Sequence, residues 1–228
     1  MEFKRYAIYF TPAPGPLADF GAAWLGWDPV QGVAVAHPEI DGLPRPIAEV
    51  TETPRKYGLH ATIKPPFRPN AAATESALCA VLEAFCADQP VITLDGLNVA
   101  QLGRFLALRP VGDEVKLNSM ANNAVRAFDP FRAPLTEDEL AKRRAGGLTA
   151  AQDALLQSWG YPYVMEEFRF HITLTGKMPK TEGKVLVPRL ETLMQPLLPR
   201  PFLIDGLALM GEDLTGRFHQ ITRLSFSG

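Results

Sequence analysis

Alternating apolar and polar positions predict two similar β-strands far apart in the chain. One is HATIKPPF at residues 60–67, and the other lies in FHITLTG at residues 170–176. Residues i and i+2 of a strand point to the same face. His60 therefore projects with Thr62, and His171 with Thr173. Each strand offers apolar side chains to a core and an imidazole with a hydroxyl to the opposite side.

The spacing of apolar residues and of turn residues predicts the elements around these strands. A first strand is predicted over residues 4–10, where KRYAIYF is followed by a proline-rich turn. Helices are predicted over about 17–25, 75–87 (capped by Thr74), 118–127 and 188–198, with two more at the capping-box patterns 136–139 and 149–152.

The order of motifs is repeated in the two halves of the chain. His60 is followed 35 residues later by Asp-Gly-Leu at 95–97 and then by Gly-Arg-Phe at 103–105; His171 is followed 34 residues later by the same motifs at 205–207 and 216–218. Each half is thus predicted to run strand, helix, strand, strand. Such self-similarity predicts two lobes related by an approximate twofold axis, with their central strands meeting at a cleft.

We expect one compact unit. Lobe one is predicted over about 1–116, a helical connection over about 117–165 and lobe two over about 166–228. No stretch of linker composition separates these parts, which is why we expect them to form one unit.

Composition narrows the classes of function that fit. The 228 residues are 46% hydrophobic and 21% charged, and no run of about 18 apolar residues indicates a membrane span. The first ten residues lack the features of a signal peptide, so a cytoplasmic protein without membrane partners is expected. A formal net charge of −2 argues against a broad basic surface for long nucleic acid. Any phosphate chemistry is therefore expected in a local pocket.

Two histidines on related strands suit displacement at phosphorus. An unperturbed imidazole has a pKa of about 6.5, so near neutral pH one histidine can accept a proton while a second, already protonated, donates one. The attacking and leaving oxygens lie on opposite sides of the phosphorus, which matches a symmetric pair. Thr62 and Thr173 would hold the non-bridging oxygens through their hydroxyls.

Further side chains are candidates for binding the substrate. Positive charge is needed as negative charge shifts in the transition state, and aromatic rings could stack on a base or close the cleft. The cationic candidates are Lys64, Lys177, Arg104 and Arg217, and the aromatic candidates are Tyr6 and Tyr57.

Other interpretations of the histidines remain open at this point. Each His-x-Thr could be an ordinary structural histidine satisfied by a hydrogen bond, although the repeat argues against this for the pair. A nucleotide- or RNA-end-binding module with little turnover is one alternative. A metallo-hydrolase is another, but the chain has no compact cluster such as His-Glu-x-x-His, and no metal or other cofactor is expected. His37 and His219 lack the motif and stay outside the predicted site.

The motifs HATI at 60–63 and HITL at 171–174 resemble the two H-x-[ST]-x motifs of the 2H phosphoesterase superfamily. The segments RYAIYF (5–10), WLGWD (24–28), YGLHATIKPPF (57–67) and FRFHITLTG (168–176) resemble the branch of that superfamily associated with phosphonate metabolism. The resemblance implies an α+β fold of two lobes, with antiparallel sheets lining a central cleft and helices outside. It also implies metal-independent phosphodiesterase chemistry at His60 with Thr62 and His171 with Thr173.

The resemblance also suggests the size of the substrate. The association with phosphonates points to a small phosphorylated ribose, such as a cyclic ribose phosphate, and other members of the superfamily act on nucleotide cyclic phosphates. The proline-rich segment after the first strand and the helical connection depart from shorter members and would narrow access to the cleft. A 2′,3′-cyclic mononucleotide is therefore expected to be hydrolysed faster than a cyclic-phosphate-ended oligomer. Which histidine is the acid, and the oligomeric state, stay open from sequence.

Overall fold

The secondary structure follows the predicted order of elements. The computed structural model of the protein describes residues 1–71 and 73–228. Its strands are β1 (Arg5–Phe10), β2 (Trp27–Asp28), β3 (Val33–Ala34), β4 (Ala61–Phe67), β5 (Ile92–Leu94), β6 (Gly96–Leu102), β7 (Phe105–Val111), β8 (Ile172–Thr173), β9 (Phe202–Ile204), β10 (Gly206–Glu212) and β11 (Phe218–Ser225). Its α-helices are α1 (Pro16–Leu25), α2 (Ile47–Val50), α3 (Glu52–Arg55), α4 (Glu75–Ala87), α5 (Val115–Phe128), α6 (Glu137–Arg144), α7 (Ala150–Trp159) and α8 (Lys180–Met194).

One large antiparallel sheet organises the molecule. Within the described residues it has seven strands in the order β11-β10-β1-β4-β8-β7-β6, and every neighbouring pair is antiparallel. The predicted α+β class with antiparallel strands is confirmed. The strands of both halves join in this single sheet, and a short ladder between β4 and β8 links them in its centre.

The two halves exchange their hairpins across the centre of the sheet. The β6–β7 hairpin of the first half pairs with β8 of the second, and the β10–β11 hairpin of the second half pairs with β1 of the first. Equivalent strands of the two halves also pair with one another, β4 with β8 and β5 with β9. This arrangement is the one expected for a repeat folded about an approximate twofold axis.

The two faces of the sheet have different surroundings. Helices α4, α5 and α8 pack on one face and bury the main hydrophobic core. Alternation along β1 places Ile8 and Phe10 in this core, and Ala7 and Tyr9 in a smaller cluster with Phe218 on the other face. The histidine-bearing side of β4 and β8 belongs to that second face.

The predicted helix starts are largely confirmed by their caps. The Thr74 hydroxyl accepts from the Ala77 N–H at 3.1 Å, and both predicted capping boxes, which begin at Thr136 and Thr149, are complete. The helix predicted over 188–198 is wrong at its start, because α8 begins at Lys180 and carries its proline inside the helix. Among the described helices, none combines the length and apolarity that crossing a membrane requires.

Candidate active site

The two histidine strands lie side by side in the centre of the sheet. Ala61 of β4 is directly opposite Ile172 of β8, and both are fully buried in the core on the helix side. Successive residues of a strand point to opposite faces, so the neighbours of these two residues project away from the helices. The register then sets the four predicted catalytic side chains together, His60 opposite Thr173 and Thr62 opposite His171. In such a ladder the two histidines are diagonal neighbours, whose Cα atoms lie about 7–8 Å apart.

Each histidine is held by the same backbone contact. Nδ1 of His60 lies 3.0 Å from the carbonyl oxygen of Gly58, and Nδ1 of His171 lies 2.8 Å from that of Arg169. A carbonyl oxygen can only accept, so Nδ1 carries the proton in both rings. The Nε2 atoms are therefore available to act in the cleft. Gly58 has φ 71°, a left-handed conformation that suits glycine and sets the turn presenting its carbonyl to His60.

Thr62 contacts His60 directly. The Thr62 Oγ1 lies 3.2 Å from Nε2 of His60, and this nitrogen has a lone pair when Nδ1 is protonated, so the hydroxyl donates to it. A ligand that enters the cleft would compete for the same hydroxyl and the same nitrogen.

Both histidines favour the neutral form. The pKa of His60 is lowered to about 4, mainly by burial and to a smaller extent by the charge of His171, while the contact with the Gly58 carbonyl opposes the shift. Burial also lowers the pKa of His171, and Arg109 adds to this effect. The protein's own groups therefore do not meet the expectation that one histidine is already protonated near neutral pH. A phosphate anion between the rings would favour protonation of one of them.

Aromatic and polar side chains form a cavity of about 330 Å³ around His60. The Tyr9 ring is stacked on the imidazole with centroids 4.0 Å apart, and the Tyr57 ring lies 5.4 Å away. The Tyr9 hydroxyl is buried without a hydrogen-bond partner among the described residues. The other lining residues include Arg5, Thr53, Thr62, Phe105, Arg143, Tyr161, Thr173, Thr175 and Lys177.

A second cavity, of about 470 Å³, lies on the His171 side. Thr62, Pro65 and Tyr161 line both cavities, so the two form one cleft over the paired strands. Arg109 also lines this second cavity, donates to the carbonyl of Phe170 at 2.8 Å and pairs with Glu114. Arg169 and Glu167 also line this end of the cleft, so groups of both charges lie there.

Two of the six predicted binding residues lie at the cleft, since Tyr57 and Lys177 both line the His60 cavity. Lys177 is exposed and can reach solvent as well as a ligand. The long segment after β1 supplies Thr53 and Tyr57, and the helical connection supplies Arg143 and Tyr161. Both segments therefore contribute to the walls of the cleft.

The placement of Lys64 contradicts the prediction that it binds phosphate. Its side chain is 2% exposed, its ammonium lies 3.1 Å from Asp129 and donates to the Val125 carbonyl, and burial lowers its pKa to about 8. The reason is an irregularity of register, in which β1 pairs Tyr9 with Thr62 but Ile8 with Lys64. Opposed residues share a face, so Lys64 points to the helix side with Ile8.

Three other predicted binding residues also lie away from the cleft. Arg104 is exposed in the turn between β6 and β7, and the Arg217 guanidinium stacks over Trp27 at 4.4 Å. Tyr6 is buried in the helix-side core, with its ring against Phe3. Neither arginine nor Tyr6 lines either cavity of the cleft. The repeated Gly-Arg-Phe motif marks hairpin turns, so the arginines are carried to the ends of the sheet.

The phenylalanines of that repeated motif, by contrast, approach the site. The Phe105 ring lies 5.8 Å from the His171 ring, and the Phe218 ring lies 5.0 Å from Tyr57. The phenylalanine of the repeated motif therefore marks the site, whereas its arginine lies in the turn before the strand.

Several cleft residues were not predicted. Alternation along β1 could have identified Tyr9, because it shares a face with Ala7 rather than with Ile8. Arg5 lines the cavity at the start of the same strand. No periodicity or motif pointed to Arg109, Arg143 or Tyr161, because distant segments bring them to the cleft.

Comparison with known families finds one family model for most of the chain. The model described as "Protein of unknown function (DUF1045)" matches residues 62–219. That stretch includes both His-x-Thr threonines, His171, the helical connection and most of the second half.

Two curated proteins match nearly the whole chain. A Janthinobacterium sp. (strain Marseille) protein named ribose 1,5-bisphosphate phosphokinase PhnN is 42% identical over 234 residues, covering 100% of this chain and 52% of that protein. A Laribacter hongkongensis (strain HLHK9) protein of the same name is 34% identical over 221 residues, covering 96% of this chain and 51% of that protein. The chain spans about half the length of these relatives.

Solved structures give looser matches. E. coli LigT complexed with 3′-AMP has a TM-score of 0.46 and 15% identity, with 100% of each chain covered. TT0787 of Thermus thermophilus has a TM-score of 0.45 and 13% identity, with 98% of each chain covered.

Proposed function

The chain belongs to the DUF1045 family, and we propose that this protein is a metal-independent phosphodiesterase that hydrolyses a small cyclic phosphate by two-histidine acid–base catalysis. The observation that supports this most directly is the β4–β8 register, which sets His60, Thr62, His171 and Thr173 on one surface within one cleft. Both imidazoles have Nδ1 fixed by a carbonyl, and a fixed tautomer is what an acid–base pair requires.

The proposed step consumes one water molecule. Nε2 of one histidine accepts a proton from a water molecule while the water oxygen bonds to phosphorus. The bond between phosphorus and the leaving ester oxygen breaks, and the other histidine donates a proton to that oxygen. The second histidine takes up its proton when the anionic substrate binds, because the phosphate charge raises the pKa of a neighbouring imidazole. The threonine hydroxyls donate to the non-bridging oxygens. The product is a phosphomonoester.

The cleft and the relatives support a small ribose-based substrate. The two cavities, of about 330 and 470 Å³, are in the range of sites for small molecules. The curated relatives are about twice as long as this chain and carry the name of a kinase for ribose 1,5-bisphosphate. Opening a ring that joins one phosphate to the 1- and 2-oxygens of 5-phosphoribose can yield that compound. A cyclic ribose phosphate is therefore the first substrate to test, with nucleotide 2′,3′-cyclic phosphates beside it.

Replacing the histidines tests the proposed function. His60→Ala and His171→Ala should each lower kcat on a cyclic ribose phosphate or a 2′,3′-cyclic mononucleotide by about 10²- to 10⁴-fold, the usual contribution of a positioned acid or base. His37→Ala is the matched control, because His37 contacts carbonyls at the end of α1 and lines neither cavity of the cleft. Circular dichroism would establish that each variant is folded.

The assay is run with a chelator present, and with a cyclic-phosphate-ended oligomer as a second substrate. Near-parental turnover in both folded histidine variants would refute the proposed catalysis. Loss of wild-type activity in chelator would favour a metallo-hydrolase instead. The mononucleotide should be the better substrate, because the segment after β1 and the helical connection both contribute walls of the cleft.

The lowered pKa values of both histidines favour one second candidate, a nucleotide- or RNA-end-binding module with little turnover, because the protein's own groups keep both imidazoles neutral. Calorimetry with a 3′-mononucleotide distinguishes the two functions. Binding without hydrolysis of any cyclic phosphate between about pH 5 and 8, the range in which imidazoles titrate, would favour the module.

A further inference from the structure

A third cavity, of about 630 Å³, adjoins the cleft, and half of the residues that line it are basic. Its basic residues come from β1 and the residue before it, from the loop after β4 and from the helical connection. They are Lys4, Arg5, Arg68, Arg132, Lys142 and Arg143. The chain as a whole has a formal net charge of −2, so this concentration of positive charge is a local feature.

Carboxylates neutralise only part of this charge. Glu212 pairs with Lys4 and Arg5, Glu139 pairs with Arg68, and Asp129 pairs with Arg132. In the described part of the chain, Lys142 and Arg143 have no carboxylate partner, and Arg143 instead lies over the Tyr161 ring at 4.6 Å. The cavity therefore keeps an excess of positive charge that an anionic ligand would balance.

The cationic cavity is continuous with the proposed reaction site. Arg5, Pro66 and Arg143 line both this cavity and the one around His60. An ion pair with Glu212 holds the Arg5 side chain at the border between the two cavities. A ligand held at the histidines can extend past Arg5 towards Arg143.

Two of the three basic residues at the end of α6 line the cavity. Lys142, Arg143 and Arg144 all lie in the last turn of α6, where the helix dipole favours positive charge. Of these three described residues, only Arg144 has an acidic partner, Asp153 on α7, and it lies outside the cavity. The neighbouring two residues keep their charge towards the cavity.

We propose that Arg143 and Lys142, with Arg5 at the border, form a subsite for a phosphate or phosphonate dianion, separate from the phosphodiester held at the histidines. A guanidinium can bind two oxygens of such a group at once, and an ammonium adds a further donor. This inference rests on the proposed function for the identity of the neighbouring site. The dianion is a second phosphate of the substrate itself or a free phosphate, and the two sources are separable.

Paired substrates test the subsite. Adenosine 2′,3′-cyclic phosphate is compared with the same compound carrying a 5′-phosphate, in wild type, Arg143→Gln and Lys142→Gln. The wild type should prefer the 5′-phosphorylated compound by at least about tenfold in kcat/KM, the factor that one charge-assisted contact gives. The preference should fall towards one in both variants. Arg144→Gln removes the same charge from the same helical turn and should keep the preference.

Calorimetry with inorganic phosphate measures the subsite without turnover. Phosphate binding that is lost in Arg143→Gln and kept in Arg144→Gln, together with equal kcat/KM for the two substrates, would assign the subsite to a free phosphate. Equal kcat/KM and phosphate binding unchanged by Arg143→Gln would overturn the proposal. If the wild type hydrolyses neither of these compounds nor a cyclic ribose phosphate, the proposed function fails, and calorimetry with phosphate and with the 5′-phosphorylated compound still decides the subsite.

Discussion

At the scale of single residues, the cleft contains a buried hydroxyl that has no hydrogen-bond partner among the described residues. His60 is buried and neutral, with its Nε2 facing Thr62, and Tyr9 stacks on its ring. The Tyr9 hydroxyl has no partner among the described residues, and its burial raises its pKa well above the usual value. A fold optimised only for stability would not keep such groups, which is consistent with a site shaped for a ligand.

The orphan hydroxyl gives a prediction about stability. Tyr9→Phe should raise the free energy of unfolding by about 1 kcal/mol, because a buried unsatisfied hydroxyl costs roughly 1–3 kcal/mol. Urea unfolding followed by circular dichroism measures the change. Tyr57→Phe is the control, since Tyr57 is only half-buried, and it should leave stability nearly unchanged. A clear loss of stability in Tyr9→Phe would mean that the hydroxyl has a partner after all.

The lowered pKa of His60 makes the stability of the fold depend on pH. Its pKa is about 4 in the folded protein and near 6.5 when unfolded, so between these values the unfolded chain binds the proton more readily. The contribution of His60 is present above pH 6.5 and is lost as the pH falls towards 4, by about 3 kcal/mol in total. His171 acts in the same direction.

Unfolding free energies at several pH values between about 4 and 8 would test this dependence. His60→Gln cannot take up the proton, so its stability should fall less steeply with acid than that of the wild type. Equal slopes in the two proteins would contradict a neutral, buried His60.

At the scale of elements, β4 directs Thr62 and Lys64 to opposite faces of the sheet, because its register with β1 shifts between these two residues. Thr62 keeps the cleft side, whereas Lys64 turns into the helix layer and bonds Asp129 at the end of α5. The ion pair therefore ties the central strand to the helix that covers it. This is a structural role for a residue next to the catalytic motif.

The buried pair should respond unequally to loss of its two members. Asp129→Ala should cost about 3–5 kcal/mol, because the Lys64 ammonium is left buried without its counter-charge. Lys64→Met replaces the lysine by an apolar side chain of similar length and should cost much less, since Asp129 keeps Arg132. Urea unfolding of both variants checks the order. A larger loss in Lys64→Met would show that the pair stabilises the fold more than its burial costs.

At the scale of the whole molecule, the exchanged hairpins make each half depend on the other. The strands of lobe one, as predicted from sequence, pair with β8 and β10 of the second half. Two tryptophans cross the same boundary, since Trp24 donates to the Leu174 carbonyl at 2.7 Å and Trp27 to the Phe218 carbonyl at 2.9 Å. Neither half has a complete sheet of its own within the described chain.

We therefore expect the chain to unfold in one cooperative transition. Tryptophan fluorescence, which reports on the boundary, and far-ultraviolet circular dichroism, which reports on all elements, should give the same urea midpoint and the same slope. Two separated midpoints would show that the lobes unfold independently. That result would contradict the expectation of one compact unit.

The local features of this protein can be predicted from its amino-acid sequence. Strand alternation assigned His60 with Thr62 and His171 with Thr173 to common faces, the capping residues located the starts of α4, α6 and α7, and the repeat indicated two related halves. These features depend on neighbours within a few residues, or on similarity between segments, and both can be read along the chain.

Contacts between distant side chains, by contrast, depend on how the strands and helices pack. The single β4–β8 pairing set the histidines side by side, the irregular register of β1 and β4 removed Lys64 from the cleft, and the helical connection brought Arg143 to it. Register and packing depend on contacts between segments far apart in the chain, and the local pattern of each segment is compatible with several such pairings. The free energy of burying the whole sheet against its helices selects one of them, and that choice builds the cleft.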